Sequence, residues 1–176
     1  MIGDPTMEYV YGTTLSDSLI ASSLLKRSEI YPDSVDASDR IFIEYNRQGE
    51  TTKITDQAGT VHEFDFDNLG RQTHDRVTTL GSGVDGAVRR ISSTYEVRGM
   101  RESVTSYDNA TVGSGSIVKD TKFTYNRFGR VTTDYQSHSG AVNAGSSPEL
   151  ERVVTCGHDT CNSMVGSSMN LMPCFG

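Results

Sequence analysis

Three thiols and an imidazole lie close together near the end of the chain, in Cys156-Gly157-His158-Asp159-Thr160-Cys161 with Cys174 beyond. Thiolates and neutral imidazoles are the ligands that a tetrahedral zinc ion takes, four at a time. The spacing argues against zinc, because ribbons and knuckles bring their thiolates in as C-x2-C pairs and none is present here. The plainer reading is a redox-sensitive tail, disulfide-bonded if the chain is exported. Residues 1–155 contain no Cys, so packing and backbone pairing must hold the main body.

Other chemistry is weaker still. Gly81-Ser82-Gly83-Val84-Asp85-Gly86 spells G-x-G-x-x-G, but a dinucleotide site needs a helix opening at its end, and Ala87–Ile91 reads as a strand. The segment is better explained as a connection between strands. Asp65, Asp67 and Asn68 resemble the start of a calcium loop, yet Leu69 and Arg76 stand where oxygen ligands belong, so turn formation is the better account. No G-x-S-x-G elbow occurs. His62, His74, His138 and His158 are scattered, with His62 and His74 on predicted strands. Asp65 and Asp67 share a parity, but a carboxyl becomes a general acid only in a cleft that shifts its pKa. Asn109-Ala110-Thr111 is a glycosylation sequon, meaningful in a eukaryotic secreted protein. Catalytic residues, metal ligands and cofactors are therefore all expected to be none.

Composition bounds what could position any site. The 176 residues are the size of one domain or a piece of a larger one, 35% apolar, with 21 Ser, 19 Thr, 17 Gly, 4 Pro and no Trp. The longest apolar stretch, around Leu19–Leu25, falls short of the roughly 20 residues of a membrane span. A net charge of −7 without a basic stripe argues against nucleic acid. Tyr, Phe, Val, Ile and Thr are too frequent for disorder, and a hydroxyl-rich chain with many turns points to β structure. The amino terminus, MIGDPTMEYV, has neither the basic stretch nor the apolar run of a secretory signal.

Internal repetition decides the organisation. Tyr45-Asn46-Arg47-Gln48-Gly49-Glu50, Phe66-Asp67-Asn68-Leu69-Gly70-Arg71, Tyr95-Glu96-Val97-Arg98-Gly99-Met100 and Tyr125-Asn126-Arg127-Phe128-Gly129-Arg130 share one plan. Each places an aromatic residue four positions before a glycine. Asn or Asp after the ring can accept a hydrogen bond from the backbone two residues on, and glycine supplies the positive φ that returns the chain through a bulge. Glu96 departs from the pattern. The flanks alternate as strands do: Ile41, Ile43 and Tyr45 on one parity with Lys53 and Thr55 beyond the turn; Thr121, Phe123 and Tyr125, then Val131, Thr133 and Tyr135. The unit is thus strand, turn, strand.

The fold class that follows is all-β, built of consecutive antiparallel hairpins. Residues 1–24 form an irregular N-terminal segment with a short helix expected over Asp17–Leu25, capped by Ser16. Residues 25–135 are the hairpin region. Residues 136–149 form a polar loop, and 150–176 form a tail without usable alternation. Leu80–Gly86 and Asp108–Ser116 read as Gly/Ser/Asp-rich connections.

These hexads resemble the YD-repeat (RHS) family, whose unit has a Tyr-Asp or similar pair, two variable residues and Gly-Arg. The second and fourth, with Phe66, Asp67, Gly70 and Arg71, and Tyr125, Asn126, Gly129 and Arg130, are the close matches. Tyr45–Glu50 lacks the final Arg, and Tyr95–Met100 lacks both that Arg and the acidic or amide residue. Tyr9-Val10-Tyr11-Gly12 reads as a degenerate earlier unit. The resemblance implies a curved, spiral sheet that is an open fragment of a hollow shell, either enclosing a toxin or belonging to a cell-surface protein. It implies secretion or a cell-surface location. The plug and the aspartic self-cleavage motif of toxin-carrying members have no match here. The expected product is a non-enzymatic piece of shell without cargo. Its expected partners are other YD-repeat segments, or a second copy joined through open sheet edges. A carbohydrate-binding module, using Tyr107, Tyr135 and the turn residues, is the alternative.

Overall fold

The computed structural model describes residues 6–34 and 39–142, together with the backbone of 152–156, 161–165 and 168–172. The chain divides into two compact units, Met1–Gly86 and Ala87–Gly176. In the first, β1 (Glu8–Thr13), β2 (Ser22–Ile30), β3 (Ile41–Tyr45), β4 (Thr51–Thr55), β5 (Val61–Phe66) and β6 (Gln72–Thr79) follow one another, each antiparallel to the next. In the second, β7 (Arg90–Tyr95), β8 (Arg101–Tyr107), β9 (Ile117–Tyr125) and β10 (Val131–Ser137) do the same. The backbone ladder continues from β10 into β11 (Arg152–Cys156), β12 (Cys161–Val165) and β13 (Ser168–Met172). The all-β, antiparallel hairpin architecture is thus present, and no helix occurs among the described residues.

Shielding from solvent is polar to an unusual degree. The buried apolar residues described are Tyr45 and Val142, whereas Thr13, Ser18, Ser28, Thr60, Ser103, Thr105, Ser137, Arg90 and Asp120 are all buried. Most strand side chains are half-exposed on both faces. Cohesion therefore falls to ladder hydrogen bonds and hydroxyl contacts more than to an apolar core, which fits the high Ser and Thr content.

Four local expectations need correction. The helix over Asp17–Leu25 is absent. Asp17 and Ser18 donate to the Thr14 carbonyl in a single turn, and the Asp17 carboxylate accepts from the Thr14 hydroxyl at 2.6 Å and its amide at 3.2 Å. Leu19 N–H then donates to Tyr45 O, and the Ser18 hydroxyl accepts from Tyr45 N, so strand-like pairing displaces helical bonding. Tyr9–Gly12 lies within β1, where Gly12 sits at a register shift and not at a hairpin bend. The loop beginning at 136 starts later, because β10 runs to Ser137; residues 143–149 of that loop lie outside the described residues. The tail assigned no pattern contains β11–β13.

All four repeats share one irregularity. Glu44 faces Lys53 but Tyr45 faces Thr51, leaving Thr52 as an extra residue. The same one-residue slip leaves Thr73, Glu102 and Thr132 unmatched in the other three hairpins. Each is a β-bulge, and it reverses the parity of the outgoing strand. Ile43 therefore faces Ile54, not Lys53 or Thr55, and Phe123 faces Asp134, not Thr133 or Tyr135.

Candidate functional site

The hairpin turns are the most regular feature of the molecule. In the first, Gly49 N–H donates to Asn46 O at 3.1 Å and Asn46 N–H donates to Glu50 O at 3.0 Å. The Asn46 Oδ1 accepts from Gln48 N and Glu50 N, both at 3.0 Å. Asp67 Oδ1 accepts from Leu69 N at 2.9 Å and Arg71 N at 3.0 Å, and Asn126 Oδ1 accepts from Phe128 N and Arg130 N at the same distances. Gly49, Gly70, Gly99 and Gly129 all have φ between 75° and 88°. At Glu96 the side chain makes no such bond to the turn, yet both closing backbone bonds form, at 2.9 and 2.8 Å. Glycine and the backbone suffice there.

A fifth turn of this kind was hidden. Asp56-Gln57-Ala58-Gly59-Thr60 closes by the same two backbone bonds, with Asp56 Oδ1 accepting from Thr60 N at 2.7 Å and Gly59 at φ 80°. Thr55 stands where the other turns have an aromatic residue, so the ring-to-glycine spacing does not mark it. The Asp-x-x-Gly pattern would have found it.

The ring positions have a second use. Tyr45 Oη donates to Lys26 O at 2.7 Å and Tyr125 Oη donates to Arg101 O at 2.6 Å, each reaching back to the strand preceding its own hairpin. Burial raises the Tyr45 pKa, which keeps the phenol a donor. Phe66 lacks the hydroxyl and cannot do this.

Neighbouring turns touch within each unit. A Cβ on Gly70 would lie 2.5 Å from Glu50 Oε1, and one on Gly129 would lie 3.2 Å from Met100 Sδ. Between the turns at 46–50 and 67–71 runs a groove of about 650 Å³, lined by Phe64, Phe66, Leu69, Thr52 and the amides of Gln48 and Asn68 among others. Neither of those amides has a side-chain partner among the described residues, whereas the Asp67 carboxylate is committed to Arg71 at 2.6 Å. The Arg71 hydrogen bonds hold the Asp67 pKa below the ordinary carboxylate range. On the sheet beside the groove, Arg76 bridges Asp65 at 2.8 Å and Glu63 at 3.1 Å, and Lys53 pairs with Glu44 at 2.8 Å. The acids suggestive of a calcium loop are thus held by arginines and turn amides.

The remaining candidates are dispersed. Gly81–Gly86 is the connection after β6, with no helix following it. His62, on β5, approaches Asp75 at 2.9 Å through Nδ1; His74 lies on β6. Tyr107 is covered by the Arg90 guanidinium, 3.9 Å above its ring, and Tyr135 lies half-buried on β10. Cys156 and Cys161 face each other across β11 and β12 at the Cα level, while His158 and Cys174 lie outside the described residues. No helix among the described residues is long and apolar enough to cross a membrane.

Two buried polar centres escaped sequence reasoning. Arg90 has its guanidinium turned to the carbonyls of Asn109, Thr111 and Ser114, so it holds the 108–116 loop from inside. Asp120 accepts from the Thr105 hydroxyl at 2.7 Å and the Val142 amide at 2.8 Å, pinning the chain that leaves β10. Apart from Ser92, which accepts from Arg90, and Lys122, 3.9 Å from Asp120, the partners that hold them lie 15 to 24 residues away.

No protein-family model matches the chain, and no curated protein matches it.

Proposed function

We propose that this chain is a non-enzymatic structural segment of the YD-repeat type, a short run of shell or cell-surface hairpins without toxin cargo. The observation that carries this reading is the recurrence of one bulged turn behind an aromatic residue at Tyr45, Phe66, Tyr95 and Tyr125, with the same extra residue each time. Hairpins of this kind cannot bury an apolar face alone and depend on their neighbours. The shortage of apolar core suits a sheet that faces water on both sides. A chain of this type should melt broadly and associate through its outer strands. Circular dichroism melts paired with sedimentation test this, and a sharp two-state transition of a monomer at high temperature overturns the reading.

A second reading is favoured by the groove between the turns at 46–50 and 67–71. Aromatic rings pack against the C–H faces of sugars, and unpaired amides match adjacent hydroxyls, so Phe64, Phe66, Gln48 and Asn68 offer a carbohydrate contact. The ring of Tyr107, covered by Arg90, is less suited to that task. A glycan array read with wild type, Phe64→Ala and Asn68→Ala tests it. Binding that is absent, or unaffected by both substitutions, removes this reading.

A further inference from the structure

Charge is divided unevenly along the chain. Residues 1–86 carry 15 Asp and Glu against 7 Lys and Arg, whereas residues 87–176 carry 8 against 9. The first unit is therefore near −8 and the second near +1, so the whole acidic excess belongs to one unit. Within the second unit, positive charge gathers at one place. The turns at 96–100 and 126–130 abut, with Arg98 Nη1 donating to Asn126 O at 2.8 Å and Met100 Sδ beside Gly129. Their tips and first strand residues bring Arg98, Arg101, Arg127 and Arg130 together, all exposed. Phe128 and Val97 stand among them, 73% and 102% exposed, and Arg127 lies over the Phe128 ring at 4.6 Å.

The repeat itself explains why Arg130 has no acid partner. In the second hexad Asp67 holds Arg71 by two contacts, at 2.7 and 2.6 Å. In the fourth, Asn126 occupies the Asp67 position. It makes the same turn with its Oδ1 but carries no charge, and Arg130 has no carboxylate partner among the described residues. Arg101 and Arg127 likewise lack one; only Arg98 is paired, to Glu96 at 2.9 Å. An aromatic and an aliphatic side chain set among four guanidiniums, three of them without a carboxylate partner among the described residues, has the composition of an interface and differs from an ordinary solvated turn.

We propose that this arginine-ringed hairpin end is a docking surface for the acidic 1–86 unit of a second copy of the chain. The two units of the one sequence carry net charges of opposite sign, and joining unlike units makes the contact heterologous, head to tail. It is separate from association through sheet edges, which rests on backbone hydrogen bonds and is insensitive to these side chains.

Sedimentation equilibrium of the full chain over a range of concentrations tests this, in about 20 mM and about 500 mM salt, where screening lengths are about 20 Å and 4 Å. Association is expected at low salt and should weaken at least about tenfold at high salt. Arg130→Glu should raise the dissociation constant about fivefold. Lys119→Glu makes the same charge change on β9, six residues from the end of the strand, and should change it by less than about twofold. Association that ignores either salt or Arg130→Glu overturns the proposal, and indifference to both favours edge pairing. A monomer at both salts overturns it outright, as does equal weakening by Lys119→Glu. A monomer that instead retains heparin or poly-glutamate through Arg127 and Arg130 overturns self-docking and makes a foreign polyanion the occupant.

Discussion

The hydroxyl of Tyr125 lies 2.6 Å from the carbonyl oxygen of Arg101, and that of Tyr45 lies 2.7 Å from the carbonyl of Lys26. In both cases a repeat ring ties its hairpin to the strand before it. Tyr45→Phe should lose about 1 kcal/mol, and Tyr125→Phe less, because Tyr45 is buried and Tyr125 is not. Tyr45→Ala should lose about 3 kcal/mol by removing the ring as well. Urea denaturation of the three variants orders these effects.

Two glycines should respond differently to the same replacements. Gly49 has φ 82° and open space around it, so Gly49→Ala meets only left-handed strain, about 1–2 kcal/mol, and Gly49→Asn recovers part of that. Gly81 is constrained by contact, since a Cβ there would lie 2.6 Å from the Ala58 carbonyl and 2.7 Å from Thr60 Oγ1. Gly81→Ala and Gly81→Asn should therefore be equally damaging. Denaturation midpoints of the four variants check this.

The turns at Asp67 and Asn126 differ in what acid does to them. The Arg71 hydrogen bonds lower the folded pKa of Asp67, so its contribution is complete above the unfolded value near 3.8 and is lost as pH falls through the lower folded value. The Asn126 turn contains no such group. Amide chemical shifts of Gly70 and Arg71 should move in that acid window while those of Gly129 and Arg130 stay flat. In Asp67→Asn the first turn should become equally insensitive.

Asp120 holds two buried donors at once. Asp120→Ala strands the Thr105 hydroxyl and the Val142 amide and should cost about 3 kcal/mol. Asp120→Asn keeps one acceptor oxygen and should cost less. Hydrogen exchange at Val142 reads the effect directly: its amide should lose protection in Asp120→Ala before the β9–β10 ladder does.

Much of the fold was legible because its code is short-range. Asn46, Asp67 and Asn126 bond to amides two and four residues on, and glycine closes the bend, so five neighbouring residues contain the whole instruction. The fifth turn, at Asp56, obeys the same chemistry and was passed over only for want of a ring. The misread helix at Asp17–Leu25 shows the opposite case. Its local pattern is compatible with a turn of helix, but Ser18 and Leu19 bond instead to Tyr45, 27 and 26 residues away in the chain.

Sequence alone determined where this protein bends and that strands lie between the bends, because turn conformation is a property of adjacent residues. Tertiary structure decided which side chains share a face, since the bulge after each of Gly49, Gly70, Gly99 and Gly129 reverses the parity of the outgoing strand, while the turn at Gly59 has none. It also decided the fates of Arg90 and Asp120. A buried charge is tolerated only where distant backbone or hydroxyl groups converge on it, and no stretch of neighbouring residues records that convergence.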